Sequence, residues 1–296
     1  MAFAASLFRS TLTLLSPRLN AELVYWIKKK KRMNWKDPQS FSELLVKLRI
    51  EEYNNSSLVK RCADKYAVRE YVEEKGFGSL LNPLLAGYNR PEQIDWQVLP
   101  ERFALKLNFG CGCNLICTDK ARFDTDAAYA VMRSWLKRKP WLGYAELQYK
   151  DVPAKLLVER FLEGKNGLFP EDYKLYCFHG KPTAILYMQN RESERMRVGF
   201  FDTEWKYLGK PEKQYLTFTR ENMPLAPASL STMLRAAEAL SAPFPFVRMD
   251  FYDLDGIAVF GEMTFSPAAG FDVSEIPVHG KTMAELLREG SQKIQE

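Results

Sequence analysis

Histidine is scarce, with two in 296 residues, His179 and His279. That leaves little room for chemistry built on an imidazole base, such as a Ser-His-Asp or Cys-His nucleophile. His179 lies in a His-Gly-Lys-Pro turn sequence, where a structural role is the simpler reading. Long apolar runs are missing too. No stretch of about 18 apolar residues, the length that crosses a bilayer, occurs anywhere. Residues 3–15 are apolar but broken by Arg9, Ser10, Thr11 and Thr13, and no small-residue cleavage site follows. The segment reads neither as a span nor as a secretory leader, so a cytoplasmic location is expected. Cysteine is sparse, and its count of five is odd. A secreted disulfide framework would be even and dispersed, so a reducing compartment is expected. Cys111, Cys113 and Cys117 have no fourth ligand nearby and depart from the paired spacing of zinc sites. Small side chains in a tight loop explain them more simply.

Two nucleotide signatures are absent as well: a G-x-G-x-x-G after a first strand and a G-x4-G-K-[ST]. This argues against a doubly wound nucleotide fold. There is no internal repeat and no low-complexity tract. Charge of one sign is not in large excess, with 42 Lys and Arg against 37 Asp and Glu, a net of +5. That mild balance, without a stacking-plus-basic motif, gives no reason to expect a nucleic-acid partner.

What remains is an ordinary globular composition, 46% hydrophobic and 27% charged, long enough for about two domains and a large core. Residues 1–50 read as helical, with a helix start at 37–40 leading into Phe41, Leu44, Leu45 and Leu48. Residues 64–74 read as another helix. From residue 103 the pattern changes. Strands are expected at 103–107, 115–118, 155–161, 173–178 and 183–189. A final hairpin, 246–254 and 257–265, turns at Asp255-Gly256. Helices are expected at 124–138, 227–240 and near 282–289. Helices first, then antiparallel hairpins with interposed helices, imply an α+β fold.

A basic run, Lys28 to Arg32, follows Leu19, Leu23, Val24, Trp26 and Ile27. Two readings stand. Residues 19–32 could rest on an anionic membrane face, or the cations could simply suit a solvated helix C-terminus.

The last hairpin carries the most chemistry. Side chains alternate along a strand, so Arg248 and Asp250 share a face, as do Glu262 and Thr264. A hairpin symmetric about Gly256 pairs 250 with 262 and 248 with 264. All four polar groups then gather on one face, while Val247, Met249, Phe251, Met263 and Phe265 form a core stripe. Two carboxylates beside a cation suit Mg²⁺, which is usually held by one or two carboxylates plus substrate phosphates. The plainer reading is a solvated face with a surface salt bridge. A second segment places Lys106 at the end of an apolar strand, just before a loop with Gly110 and Gly112. Small residues let backbone N–H groups approach phosphate oxygens, and the lysine adds a point charge. In a third, residues 157–163 could line an adenine slot, with Glu159 and backbone groups facing the base; the plainer reading is an edge strand with outward charge.

Taken in order, these segments resemble the ATP-grasp superfamily, and more closely its TupA-like branch, named for teichuronopeptide biosynthesis. Residues 64–72 match that branch's Asp-Lys-Tyr-x-Val-Arg-Glu-Tyr-Val helix. Residues 106–114 match its lysine and Asn-x-Gly-x-Gly-x-Asn loop, and residues 172–182 its hairpin. Residues 244–252 and 260–270 match its Arg/Asp and Glu/Thr strands. The resemblance, over roughly residues 34–275, implies two α+β subdomains gripping ATP, preceded by an N-terminal helical segment. It divides the chain into a helical extension, 1–50, and an ATP-grasp region, 51–296. Within that region, about 100–180 would be the lid and hinge and 181–296 the catalytic subdomain. It implies that Lys65 and Lys106 contact phosphates, with Lys174 nearby and Asn114 shaping the loop. Glu159, Arg160 and Phe161 would hold adenine, and Glu163 the ribose. Asp250 and Glu262, with Thr264, would bind Mg²⁺, and Arg248 would meet an acyl phosphate. Thr264 stands where many ATP-grasp ligases have Asn, and Phe109 where this branch often has His.

The implied activity is ATP-dependent carboxylate–amine ligation in cell-surface polysaccharide biosynthesis, of the capsule or O-antigen kind. The partners would be a small-molecule or lipid-linked glycan carboxylate and an amine, an amino acid or amino alcohol. Two rivals remain at this point: a glycosyltransferase using Asp253-Leu254-Asp255 as a metal motif, and a non-catalytic ATP-binding scaffold.

Overall fold

The structure, a computed structural model, describes residues 2–164, 169–191, 193–211 and 215–292. The chain opens with α1 (Ala2–Leu15) and α2 (Pro17–Lys29). They are separate helices because Ser16 is extended (φ −158°) and caps α2 through its hydroxyl, with Pro17 at the first helical position. The expectation that residues 1–50 are helical throughout needs correction. Lys30 turns left-handed (φ 57°) and closes α2, and the chain stays irregular until Ser40. There a capping box opens α3 (Phe41–Glu51), with Ser40 Oγ accepting from the Glu43 N–H. The buried Glu43 carboxylate accepts from the N–H groups of Ser40, Gln39 and Asn34. Those bonds outweigh burial and lower its pKa.

Next come α4 (Ser57–Ala63) and α5 (Val68–Glu74). The sequence suggested one helix over 64–74, but Asp64 is extended and its carboxylate caps the N–H groups of Tyr66 and Ala67. Lys65 therefore sits in the turn between two helices, where its side chain is free to leave the helical surface.

Two antiparallel sheets follow. The smaller has the order β1 (Leu84–Tyr88), β4 (Leu156–Arg160), β2 (Phe103–Leu107), β3 (Asn114–Cys117). Helix α6 (Thr125–Leu136), capped by Asp124, packs on it, and Trp96, Phe103, Phe123 and Tyr129 interlock beneath. The short α7 (Pro140–Tyr144) follows α6. The larger sheet has the order β10 (Ile257–Thr264), β9 (Phe246–Leu254), β5 (Glu171–Phe178), β6 (Lys181–Gln189), β7 (Arg197–Phe201), β8 (Tyr207–Gly209). The last two strands were not foreseen. Four of the five residues of β7 are buried, so it lacks alternation. Its Gly199 admits the Phe218 and Tyr207 rings so closely that a Cβ would lie 2.8 Å from each.

Helix α8 (Leu230–Ser241) begins three residues later than expected, and α9 (Met283–Gln292) closes the described chain. Val247, Met249, Phe251, Met263 and Phe265 are buried in one cluster with side chains of α3, α5, α8 and α9. The Tyr53 hydroxyl fastens the start of β9, donating to Phe246 O at 2.5 Å and accepting from its N–H at 3.0 Å. The opposite face of β9 and β5 looks toward the smaller sheet.

Candidate functional site between the two sheets

The β9–β10 register brings the four polar residues of the hairpin together. Asp250 pairs with Glu262 and Arg248 with Thr264. The route differs from the simple symmetry. The turn has two residues, with Leu254 opposite Ile257 and Phe251 opposite Phe260, and a bulge at Gly261 then absorbs one residue. A Cβ on Gly261 would lie 2.9 Å from Asp250 O, so the bulge presses directly on the backbone that carries the carboxylate. On the other side of β9, Lys174 pairs with Asp250 and Tyr176 with Arg248. Three strands thus lay Lys174, Asp250 and Glu262 in one row.

The face is not a solvated one. Asp250 is 3% exposed. Its Oδ1 accepts from Arg248 Nε at 2.6 Å, and its Oδ2 from Arg248 Nη2 at 2.8 Å and Lys174 Nζ at 2.7 Å. Arg248 Nη2 also donates to Thr264 Oγ1 at 3.1 Å. Lys174 reaches a further carboxylate, Asp172, at 2.9 Å, which in turn receives Arg191 at 2.7 Å. Burial alone would raise the Glu262 pKa, but Lys65, then Arg248 and Lys174, hold it well below the usual carboxylate range.

Lys65 links the two halves. Its Nζ donates to Gly110 O at 3.0 Å and meets Glu262 Oε2 at 3.0 Å. Burial disfavours its charge, yet Glu262 more than compensates and raises its pKa. In the loop, Gly110 and Gly112 have φ of 74° and 69°, which an L side chain rarely adopts. Buried Asn108 staples the loop to its neighbour, accepting from Lys155 N at 2.8 Å and donating to Pro153 O at 3.1 Å. Cys111 is exposed there, while Cys113 accepts from Arg138.

A cleft of about 620 Å³ opens between the sheets. Ala104, Lys106, Asn114 and Ile116 line one wall, Tyr252 and Arg191 the other, and Arg160, Phe161 and Phe169 close an end. Lys106 Nζ meets Glu159 Oε2 at 2.8 Å, so Glu159 is turned to the lysine. Glu163 stands apart at the rim, paired with Arg102 at 2.7 Å. A second cleft, about 530 Å³, is lined by Arg248, Tyr176, Pro267 and Asp272.

The structure therefore joins Lys65, Lys174, Arg248, Asp250, Glu262 and Thr264 in one network of contacts, and places Lys106 on the wall of the cleft between the sheets. Asp172, Arg191, Tyr252 and Asn108 escaped the sequence reading. Asp172 was within reach, since it shares a strand face with Lys174. Asp255 lies in the hairpin turn and Asp253 near the end of β9, where it accepts from Gly256 N and from Ser229 Oγ. The His179 ring donates from Nε2 to Leu287 O at 2.7 Å, in a turn against α9, and its backbone N–H donates to Pro245 O at 2.9 Å.

Five cations interleaved with four carboxylates can receive a polyphosphate by exchanging partners. Among the described residues, no three His, Cys, Asp or Glu side chains form a metal cage by themselves. Asp250 and Glu262, on paired residues of adjacent strands, instead fit a Mg²⁺ whose remaining ligands are phosphate oxygens and water.

A cleft between two antiparallel sheets, each supplying a lysine, defines the ATP-grasp class. The chain belongs to the TupA-like ATP-grasp family, whose model matches residues 43–279, about four fifths of its length. Comparison with curated proteins returns no match. Solved structures that are similar include a D-alanine–D-alanine ligase from Bacillus anthracis, at 17% identity and TM-score 0.47, covering 79% of this chain and 69% of that one. An N5-carboxyaminoimidazole ribonucleotide synthetase in its ADP complex has 10% identity and TM-score 0.46, covering 73% and 48%. An L-amino acid ligase from Bacillus licheniformis has 16% identity and TM-score 0.46, covering 78% and 50%. The chain thus spans between about half and two thirds of the length of these solved chains. Among the described residues, no helix is long and apolar enough to cross a membrane.

Proposed function

We propose that the protein is an ATP-dependent carboxylate–amine ligase. The observation that carries this reading is the shared lattice of Lys65, Lys174 and Arg248 with Asp250 and Glu262, on the same strand β9 as Tyr252, which lines the cleft with Lys106. The substrate carboxylate oxygen attacks the γ-phosphorus of ATP, and ADP leaves. The amine nitrogen then attacks the acyl carbon, phosphate leaves, the nitrogen loses a proton, and an amide results. Mg²⁺ held by Asp250, Glu262 and Thr264 would neutralise phosphate charge.

The chain's own residues do the positioning. Lys106, Lys65 and Lys174 bind phosphate oxygens, each released from its present carboxylate. Gly110, Gly112 and Asn114 bring loop N–H groups close. Arg160, Phe161 and Glu159 border the base, and Glu163 borders the ribose once it parts from Arg102. Arg248 lines the second cleft and is bonded to Asp250, so it can hold the acyl phosphate while that cleft holds the rest of the substrate. The smaller sheet acts as the lid and the larger as the floor.

The carboxylate is placed on a uronic acid or amino-acid group of a capsule or O-antigen unit, free or lipid-linked. The amine is placed on an amino acid or amino alcohol. The resemblance to the teichuronopeptide branch supports that choice. The test is calorimetry of Mg·ATP binding to wild type and Glu262→Gln, then phosphate and ADP release across a panel of such carboxylates and amines. Tight binding that the variant loses is expected, with release only when both partners are present. An intact fold that binds no nucleotide would overturn the reading.

A further inference from the structure

The chain's positive charge is not spread evenly. Residues 1–36 hold eight Lys and Arg and one acidic residue, so the remainder of the chain is slightly acidic. The same segment exposes large apolar side chains. Leu14 and Leu15 are 67% and 78% exposed, and Phe8, Trp26 and Ile27 are about half exposed. Helix α2 buries the other part of its apolar surface, Ala21, Val24 and Tyr25, against the protein. Its outward apolar residues, Leu19, Leu23 and Trp26, share a groove with Phe8 and Leu12 of α1, and Arg32 stands at its edge.

This helix pair is firmly mounted. Buried Asn20 donates to Thr13 Oγ1 at 2.6 Å, and Thr13 donates to Leu142 O of α7 at 2.6 Å. An apolar surface held rigidly outward is a docking feature rather than a frayed end. At its border Lys29, Lys30 and Arg32 have no ion-pair partner among the described residues. We propose that α1 and α2 together form a docking face for an anionic phospholipid surface. Apolar side chains enter the acyl boundary, and the cluster at 28–32 meets the headgroups. Lys28 also sets the orientation. It pairs with Asp272, which lines the second cleft beside Arg248. A docked protein thus holds that cleft next to the lipid surface. The docking itself does not depend on the ligase reading.

The test is flotation of the full chain with vesicles of two parts phosphatidylcholine to one part phosphatidylglycerol, and with phosphatidylcholine alone. The anionic vesicles should carry at least about tenfold more protein, with the excess lost at high salt. Lys29→Glu, Lys30→Glu and Arg32→Glu together should abolish the excess. Leu14→Ser with Leu15→Ser should do so too, with melting curves unchanged for both variants. Equal flotation on the two vesicle types, or binding that survives both variants, overturns the proposal. So does a dimer in sedimentation velocity that Leu14→Ser with Leu15→Ser dissolves, because the face would then cover a second copy.

Discussion

On the larger sheet Asp250 is almost fully buried and receives three charged donor contacts, from Arg248 twice and Lys174 once. On the smaller sheet Lys106 has a quarter of its side chain exposed and one carboxylate partner, Glu159. The first group stands on a core shared by six strands and five helices, the second on four strands and one long helix. The difference teaches where rigidity is placed. The larger sheet holds its charges in a buried network in which each group has several partners. The smaller sheet holds one lysine by one contact that an anion can replace.

The sharpest way to break this comparison is Asp250→Asn. It removes the carboxylate that Arg248 and Lys174 share in a buried place, leaving Lys174 with Asp172 and Arg248 with the more distant Glu262. Stability should fall by about 2–4 kcal/mol, read as the urea midpoint, and phosphate release by about 10³-fold. Gly261→Ala comes next. Its Cβ would crowd Asp250 O, so we expect a loss of about 1–3 kcal/mol and a larger fall in nucleotide affinity than that loss explains, read by calorimetry. Lys65→Met tests the link between lid and floor through pH. The folded-state pKa of Glu262 is depressed, so its contribution is complete above the unfolded value of about 4.3. It is lost as pH falls through the lower folded value. Urea midpoints of wild type should therefore drop more steeply below that pH than those of the variant.

On the lid side, effects should be gentler. Lys106→Met should weaken ATP binding by roughly tenfold to a hundredfold and, because it leaves the buried Glu159 without its cation, lower stability by about 1–2 kcal/mol, less than Asp250→Asn does. Glu163→Gln, at an exposed pair with Arg102, should cost less than about 0.5 kcal/mol of stability and weaken ATP binding by about two- to fivefold, as the loss of one hydrogen bond to the ribose would. If Lys106→Met unfolds the protein as readily as Asp250→Asn does, the contrast between the two sheets is wrong.

Much of the larger sheet was legible because period two is a strong signal. Arg248, Asp250, Glu262 and Thr264 were placed on one face by alternation, and their pairing is as expected. The bulge was not foreseen, though it left a trace: core residues fall at Ala258, Phe260, Met263 and Phe265, with one interval of three where Gly261 stands. Strand order was not legible, because the β5–β9 pairing joins segments about 75 residues apart and no local pattern encodes it. Hence Asp172 was passed over although it flanks Lys174. The N-terminal helices were read as one helical region because Ser16-Pro17 and Lys30 act through single dihedral angles. Lys65 was assigned to a helix for the same reason, since one extended residue, Asp64, ends α4 early.

Gly261 can also be seen as a phase slip in a wave. Before it, even-numbered side chains of β10 face the core, and after it odd-numbered ones do. The residue belongs to neither half of the wave and contributes only the offset. Removing it outright would let Glu262 follow Phe260 directly, opposite Asp250, with every other side chain on its present side. Substituting it keeps the offset and adds a Cβ where backbone already lies. Along this strand, then, a one-residue deletion is the milder change and a one-methyl addition the harsher.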